Sequence, residues 1–402
     1  MEAIQKGEVR VCDGNMSAAY GVLLAKTDVI AIYPITPQTS LIEKLALFKS
    51  QGLIDAEILE VEGEISAMGS VVGASAAGAR VFTSSSSMGL NFMFDTYLMA
   101  AYYRLPVVMV NANRENPAPA TVSASEQDIM SVIESGWIHI HVENCQEILD
   151  TILMAYRLSE DPEILLPVGI CYDGFYLSYL REPIEIPPQD MVDNFLKRRP
   201  RPVLGFDPPR FISWRPTEDA ETAEYRYRQQ IAYQKAKEKI DQIDESFGMA
   251  FGRKYGGVIE EYRMDDAEIA LVSLGSHTGT ARVVVDKKRE RGIKVGLIKV
   301  RAFRPFPNEK LANALRGMKA IGVLDRSVCF GWNGGHLYRE LKTALYGQNI
   351  PIADFIGGLA GHDITIPLIE LAVDKTHRAS LGESYEEVTW LAMEEREAGS
   401  QP

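Results

Sequence analysis

Between residues 11 and 180 the chain alternates short apolar runs with longer helix-compatible stretches, and that alternation restricts it to an α/β architecture. The predicted order begins with a helix from Asn15 to Ala25, a strand from Val29 to Tyr33, the turn Pro34-Ile35-Thr36-Pro37 and a helix to Phe48. A strand, helix, strand unit follows at Ile58 to Val61, Ile65 to Ala77 and Val81 to Thr83. After it come a helix to Tyr103, a strand Pro106 to Asn111, a polar loop Asn113 to Glu126 and a strand Ile138 to Val142. A helix Cys145 to Ser159 and a strand Leu166 to Tyr172 complete the run. Strands separated in this way by helices form a doubly wound, mostly parallel sheet. Functional groups in such sheets gather where strands end and helices begin. That rule directs attention to Tyr33–Thr39, Gly63-Glu64, Thr83–Met88 and Asn111–Asp128.

Prolines then crowd at positions 183, 187, 188, 200, 202, 208, 209 and 216, so the chain is expected to run extended across a surface. Thr217 to Phe247 lacks both Gly and Pro and is rich in Glu, Lys, Gln and Ala, which predicts a long helix with one packed face and one solvated face. A second, smaller α/β domain is expected from Asp266. Its elements are a strand Ile269–Leu274, the turn Gly275-Ser276, a helix Thr278–Arg291, strands Lys294–Val300 and Ile321–Asp325, and a helix Asn308–Gly317 between those strands. Gly334-Gly335 and Gly357-Gly358 punctuate a last helix and strand. The acidic tail from Thr376 is helix-permissive, with Trp390 and Met393 as candidate anchors. The expected division is therefore 1–181, a connector and long helix over 182–265, a second domain over 266–375, and a tail over 376–402.

Composition removes several functional classes. With 402 residues, 46% hydrophobic and 24% charged, the chain can bury cores of two or three ordinary domains. A net charge of -13 and the lack of a basic run argue against nucleic-acid binding. Apolar runs such as Leu105 to Val110 are strand-length, and the N-terminus has no stretch resembling a secretory signal, so a cytoplasmic protein without a membrane span is expected. Cys12, Cys145, Cys171 and Cys329 never form a C-x-x-C pair and read as reduced core thiols rather than zinc or cluster ligands.

The strand-end loops supply four candidate groups. Glu64 stands at the start of a helix rich in Gly, Ala and Ser, a wall that lets a flat ligand or another surface approach closely; it is either a functional acid or one that only meets the helix dipole. Thr36 lies between two prolines, so its hydroxyl is held, which suits ligand orientation or simply a rigid turn. Arg114 follows a buried strand and can grip a carboxylate with two parallel bonds or form a surface ion pair. The hydroxyls of Thr83 to Ser87 can bind a polar ligand or cap the next helix. No G-x-x-x-x-G-K-[ST], no G-x-G-x-x-G after a strand and no G-D-G with a downstream Asn is present. A phosphorylated cofactor would therefore need another chain for its phosphates.

The segments GNMSAAYGVLLA, AIYPITPQTSLIEKLA, VEGEISAMGSVVGASAAGARVFTSSS, RLPVVMVNANRE, SGWIHIHVENCQE, KVGLIKVRAFRPFP and AIGVLDRSVCFG together resemble the α subunit of the 2-oxoacid:ferredoxin oxidoreductases, thiamine diphosphate enzymes typified by pyruvate:ferredoxin oxidoreductase. The resemblance runs over nearly the whole chain. It implies a pyrimidine-binding first domain and a transketolase C-terminal type second domain. It places Glu64 against N1′ of the cofactor's aminopyrimidine, with Pro34, Ile35, Ser86 and Ser87 on the cofactor side, and Thr36 and Arg114 on the substrate carboxylate. Protonation of N1′ by Glu64 would let the cofactor act as its own base. A 2-oxo acid would then lose CO₂, pass two electrons singly to iron–sulfur clusters, and yield its acyl group to coenzyme A.

By the same resemblance, a β subunit would bind the diphosphate and Mg2+, while γ and ferredoxin-like subunits would hold 4Fe–4S clusters and pass electrons to ferredoxin or another acceptor. A non-catalytic assembly subunit is the rival reading, although Glu64 and Arg114 are both present. The substrate stays open. The loop Pro117 to Ser125 has small side chains where the pyruvate enzymes are expected to be bulky, and Val122 and Ser123 are the candidate wall of a roomier pocket for a branched-chain or aryl 2-oxo acid such as phenylglyoxylate. Thr36 stands where oxalate-specific relatives carry arginine, which counts against a dicarboxylate.

Overall fold

The computed structural model describes residues 7–116, 121–198 and 219–399. Its strands in chain order are β1 (Glu8–Cys12), β2 (Val29–Ile32), β3 (Glu57–Glu60), β4 (Val81–Ser85), β5 (Val107–Asn113), β6 (Ile138–His141), β7 (Val168–Asp173) and β8 (Glu182–Ile186). The second half adds β9 (Ile259–Tyr262), β10 (Ile269–Ser273), β11 (Val295–Val300), β12 (Ala302–Arg304), β13 (Ala320–Asp325), β14 (Ile352–Ile356) and β15 (Val388–Trp390). The first sheet has the order β12-β6-β7-β5-β4-β2-β3 and is parallel apart from β12. The second has the order β15-β14-β13-β10-β11-β9 and is parallel apart from β9. The expected α/β class with doubly wound, mostly parallel sheets is the one observed.

Both faces of the first sheet are covered, as a parallel sheet requires. Ile30 and Ile32 of β2 join the core beneath the helices Gly14–Leu24 and Cys145–Ser159, while Ala31 between them joins the core beneath the helix Glu64–Ala76. The first two helices pack closely because Gly21 faces Ile152: a Cβ on Gly21 would lie 3.0 Å from the Ile152 Cβ. The core under Glu64–Ala76 continues through Met109, Phe303 and Leu311 to Val272 and Val323 of the second sheet, so the two sheets share apolar packing.

The motif KVRAFRPFP makes that junction. β11 ends at Val300 in the second sheet, and after Arg301 alone the chain enters the first sheet as β12, antiparallel to β6. Lys299 and Arg301 then converge on Glu147 of the first domain, at 2.6 Å to Oε2 and 2.8 Å to Oε1, with Arg301 Nη2 also donating to Thr151 Oγ1 at 2.8 Å. Burial works to raise the Glu147 carboxyl, but the two cations outweigh it and hold it below its ordinary value.

Several expectations change. Glu182–Ile186, read as part of the connector, is a strand paired antiparallel with β1, and residues 189–195 form a helix. The prolines at 200, 202, 208, 209 and 216 lie outside the described residues. The long helix runs from Asp219 to Phe251, and Ala232, Ala236, Ile240, Ile243 and Phe247 form its buried stripe. The second sheet begins before Asp266, with β9, and does not stop at residue 375. The helix Ile366–Ser380 passes through that point and β15 adds an edge strand. Trp390 and Met393 are exposed; Val388 in β15 and Leu391, the first residue of the helix that follows, are the buried apolar residues that anchor the tail. Cys12, Cys145 and Cys171 are buried free thiols, whereas Cys329 is only half-buried and accepts a bond from Arg339 Nη1 at 3.1 Å. No described helix is long and apolar enough to cross a membrane.

Candidate active site

In the first sheet β2 lies between β3 and β4, so the chain leaves β2 toward one side and returns on the other. The loops after β2 and β4 therefore flank a crevice at the carboxyl ends of the strands, the place where open α/β sheets hold ligands. Glu64 opens the helix Glu64–Ala76 beside this crevice, after the extended Gly63. Its side chain is only 7% exposed, yet no donor among the described residues bonds to it. A carboxylate taken from water without a partner is costly, so its free oxygens mark a place for a ligand.

The surroundings of Glu64 explain a glycine. A Cβ on Gly89 would lie 2.6 Å from Glu64 Oε1 and 2.5 Å from Ser85 Oγ, so only glycine lets the helix Ser87–Phe92 approach the acid. The hydroxyls of Thr83 and Ser85 are buried without hydrogen-bond partners in the same region. Ile65 on the helix that Glu64 opens, and Met88 and Phe92 on the helix Ser87–Phe92, are exposed apolar side chains.

Arg114, at the end of β5, is 8% exposed. Its Nε donates to Thr121 O at 3.0 Å and its Nη1 to Thr36 O at 3.1 Å, while Nη2 makes no bond among the described residues. The guanidinium is thereby locked to the β2 turn with one edge free. That turn is itself fixed: Asn15 Nδ2 donates to Pro37 O at 2.7 Å, Tyr172 OH donates to Asn15 Oδ1 at 2.5 Å, and Gln38 Nε2 donates to Tyr33 O at 2.9 Å. Thr36 is exposed, following an exposed Pro34 and a half-buried Ile35 and preceding the buried Pro37, and its hydroxyl makes no bond among the described residues.

The other predicted residues separate. Ser86 Oγ donates to Ala112 O and Ser87 Oγ to Glu115 O, both at 2.7 Å, so these hydroxyl protons brace the β4 and β5 ends instead of facing the crevice. Val122 is 40% exposed. Ser123 turns to the second domain instead: a Cβ on Gly361 would stand 2.5 Å from Ser123 Cβ, and Gly361 N donates to Ala124 O at 2.9 Å. Val122 and Ser123 therefore do not form one wall. Pro117 to Ala120, the first part of the small-residue loop, lies outside the described residues.

Asp128 is the site residue that sequence reasoning missed. Its Oδ2 accepts the N–H of Ser87 at 2.8 Å, the N–H of Arg114 at 3.1 Å and the Asn111 amide at 3.0 Å, tying the ends of β4 and β5 together. Burial pushes its carboxyl up to about 6 in spite of those donors. It also supports Ser87 in a left-handed conformation, φ 48°. The only sequence signal was its place in the loop after β5. No group of three or more side chains able to hold a metal ion occurs among the described residues.

The chain is similar to known proteins over most of its length. The family model for the thiamine diphosphate-binding domain of pyruvate flavodoxin/ferredoxin oxidoreductase matches residues 20–245, and that for core domain II of pyruvate:ferredoxin oxidoreductase matches residues 267–369. The α subunit of NADH-dependent phenylglyoxylate dehydrogenase from Aromatoleum evansii is 42% identical over 93% of this chain and 92% of its own length. Pyruvate synthase subunit PorA from Methanothermobacter thermautotrophicus is 42% identical over 96% of this chain and 99% of its own. Ketoisovalerate oxidoreductase subunit VorA from Pyrococcus horikoshii is 41% identical over 95% and 97%. Among solved structures, the 2-oxoglutarate:ferredoxin oxidoreductase from Magnetococcus marinus, with 2-oxoglutarate, coenzyme A and succinyl-CoA bound, superposes with a TM-score of 0.73 at 18% identity. That match takes in 92% of this chain and 65% of the longer one, under two thirds of its length. With both family models matched in order and relatives above 40% identity end to end, this chain belongs to the 2-oxoacid oxidoreductases of the pyruvate flavodoxin/ferredoxin oxidoreductase family, whose thiamine diphosphate-binding domain it carries.

Proposed function

We propose that this chain is the α subunit of a cytoplasmic, multi-subunit enzyme that oxidatively decarboxylates a 2-oxo acid to an acyl-CoA and CO₂, passing two electrons to iron–sulfur clusters on partner chains and on to ferredoxin or another acceptor. The observation that carries this reading is Glu64: a buried carboxylate with no donor among the described residues, at a helix start kept open by Gly89. That setting fits the pyrimidine side of thiamine diphosphate, a flat ring whose nitrogen needs an acid. When bound, the cofactor supplies the carbanion chemistry that decarboxylation requires. Glu64 holds and gives the proton at N1′. Arg114, fixed through Nε to Thr121 O and through Nη1 to Thr36 O, offers Nη2, unbonded among the described residues, to the substrate carboxylate, and Thr36 supplies a hydroxyl from the same turn. The exposed Ile65, Met88 and Phe92 form the rim on which a β subunit, bearing Mg2+ and the diphosphate contacts, closes the site.

Relatives at 41–42% identity act, by their names, on phenylglyoxylate, pyruvate and ketoisovalerate. A second reading keeps the chemistry and enlarges the substrate to an aryl or branched 2-oxo acid. It is favoured by the exposed, modest side chain of Val122 next to Thr121, whose carbonyl holds Arg114. The test is a panel of pyruvate, 2-oxoisovalerate, phenylglyoxylate and 2-oxoglutarate on the co-purified complex, with coenzyme A and a viologen dye as acceptor. Coenzyme A-dependent dye reduction with one of the first three is expected. Dye reduction by none of the four, from a complex carrying thiamine diphosphate, would reject the proposal in favour of an assembly subunit.

A further inference from the structure

Arg114 is held twice by one segment of the loop after β5. Thr121 O accepts its Nε at 3.0 Å, and further along Asp128 Oδ2 accepts its backbone N–H at 3.1 Å. The first bond aims the guanidinium and the second fixes the backbone from which it extends. The place of Nη2, unbonded among the described residues, therefore follows the position of segment 121–128. Between its two holding residues, the second domain takes hold of the same segment. Ala124 O accepts the N–H of Gly361 at 2.9 Å, and Glu126 N donates to Arg326 O at 3.1 Å.

Gln127 adds a side chain to this hold. Its Oε1 accepts the N–H of Val328 at 2.9 Å and its Nε2 donates to Val328 O at 3.1 Å, so the amide pairs with one residue of the loop after β13 as a neighbouring strand would. Two parallel bonds fix distance and rotation together, which a single bond does not. Gln127 is buried, and its main chain is occupied as well: N donates to Ser125 Oγ at 3.1 Å and O accepts from Asn116 Nδ2 at 3.3 Å. The far side of the clasp is equally fixed, because the Arg326 guanidinium bonds Asp173 at the end of β7. Next to Gln127 in the chain is Asp128, the carboxylate that anchors the N–H groups of Arg114 and Ser87. A shift of this segment would carry the Asp128 carboxylate and the Thr121 carbonyl with it, and a guanidinium displaced by about 1 Å loses much of its paired grip on a carboxylate.

Resting on the assignment of Arg114 to the substrate carboxylate, we propose that Gln127 is a positioning residue for 2-oxo acid binding: through its clasp on Val328, the second domain sets where the Arg114 guanidinium meets the substrate. The test uses the co-purified complex, saturated with thiamine diphosphate and coenzyme A, with the 2-oxo acid it turns over best and a viologen dye as acceptor. Gln127→Met keeps the length of the side chain but breaks both bonds, so KM for the 2-oxo acid should rise about tenfold or more while kcat stays within about threefold. Gln127→Glu keeps the acceptor for the Val328 N–H and should fall between the parent and Gln127→Met. Affinity for thiamine diphosphate should not move in either variant. Arg114→Lys should itself raise KM about tenfold or more, and in that background Gln127→Met should change kcat/KM by less than about twofold, because its route to the substrate runs through the guanidinium. Additive losses in the double variant would overturn the proposal and leave Arg114 in its role. So would a Gln127→Met complex with unchanged KM and only a lower melting temperature or cofactor content, the mark of a plain staple between domains. If Arg114→Lys also left KM unchanged, the assignment of Arg114 would fall, and this role of Gln127 with it.

Discussion

Glu64→Gln keeps the volume and the contact with Gly89 but cannot give a proton, so turnover should fall by ~10²–10⁴ while thiamine diphosphate stays bound, as single-turnover assays and cofactor titration would report. Near-normal turnover would remove Glu64 from the chemistry. Ser123 and Val122 now separate in their expected effects. Ser123→Phe would press on the Gly361 turn and should lower stability by ~1–3 kcal/mol and affect every substrate alike, whereas Val122→Phe should reduce kcat/KM for the largest 2-oxo acid most. A selectivity change from Ser123→Phe with an unchanged melting temperature would contradict that division. Glu64, Thr36 and Arg114 were legible in the sequence because each follows directly on an apolar strand, and strand ends are local features. Asp128 and Gly89 were not, since their roles lie in contacts with Ser87, Arg114 and Glu64 that only the packed sheet creates.

The element formed by β13, β14 and the helix His336–Ala344 contains a buried acid pair. Asp325 accepts the N–H of Leu337 at 3.2 Å and of Tyr338 at 2.8 Å, and Asp354 accepts the N–H of Gly335 at 2.8 Å. A Cβ on Gly335 would fall 2.1 Å from Asp325 Cγ, which explains a glycine that sequence reading took for simple punctuation. Burial pushes Asp325 from 3.8 up to about 7, and burial with the Asp325 charge raises Asp354 as well. With the folded value above the unfolded one, the folded state binds more protons between these limits, so stability falls as pH rises from about 4 through 7. Asp354→Asn keeps an acceptor for Gly335 and removes the second charge. Its melting temperature should exceed that of the parent at pH 8, with the gap narrowing toward pH 5. Thermal scans across that range check it; a gap that widens on acidification would be the wrong sign.

At the scale of the whole molecule, the two domains are joined by shared apolar packing and by Lys299, Arg301 and Glu147. Glu147→Ala would leave two cations buried and should cost ~3–5 kcal/mol, read as a lower urea midpoint for the intact chain. The chain purified alone should not reduce a viologen dye, since it has neither a diphosphate motif in its sequence nor a metal-binding cluster among its described residues; turnover by the isolated chain would refute the shared site. The sequence by itself determined the α/β class, most helix and strand positions and the strand-end residues, because hydrophobic periodicity and turn chemistry are local and strong in buried parallel strands. It did not reveal β1, β8, β9, β12 or β15. Those strands are three to five residues long and become strands by pairing with distant edges, as β12 does when it leaves the second sheet for β6. Nor could it reveal which way Ser86, Ser87 and Ser123 turn. A hydroxyl's direction depends on the nearest carbonyl or gap, and here those belong to Ala112, Glu115 and Gly361, which only the folded chain brings near.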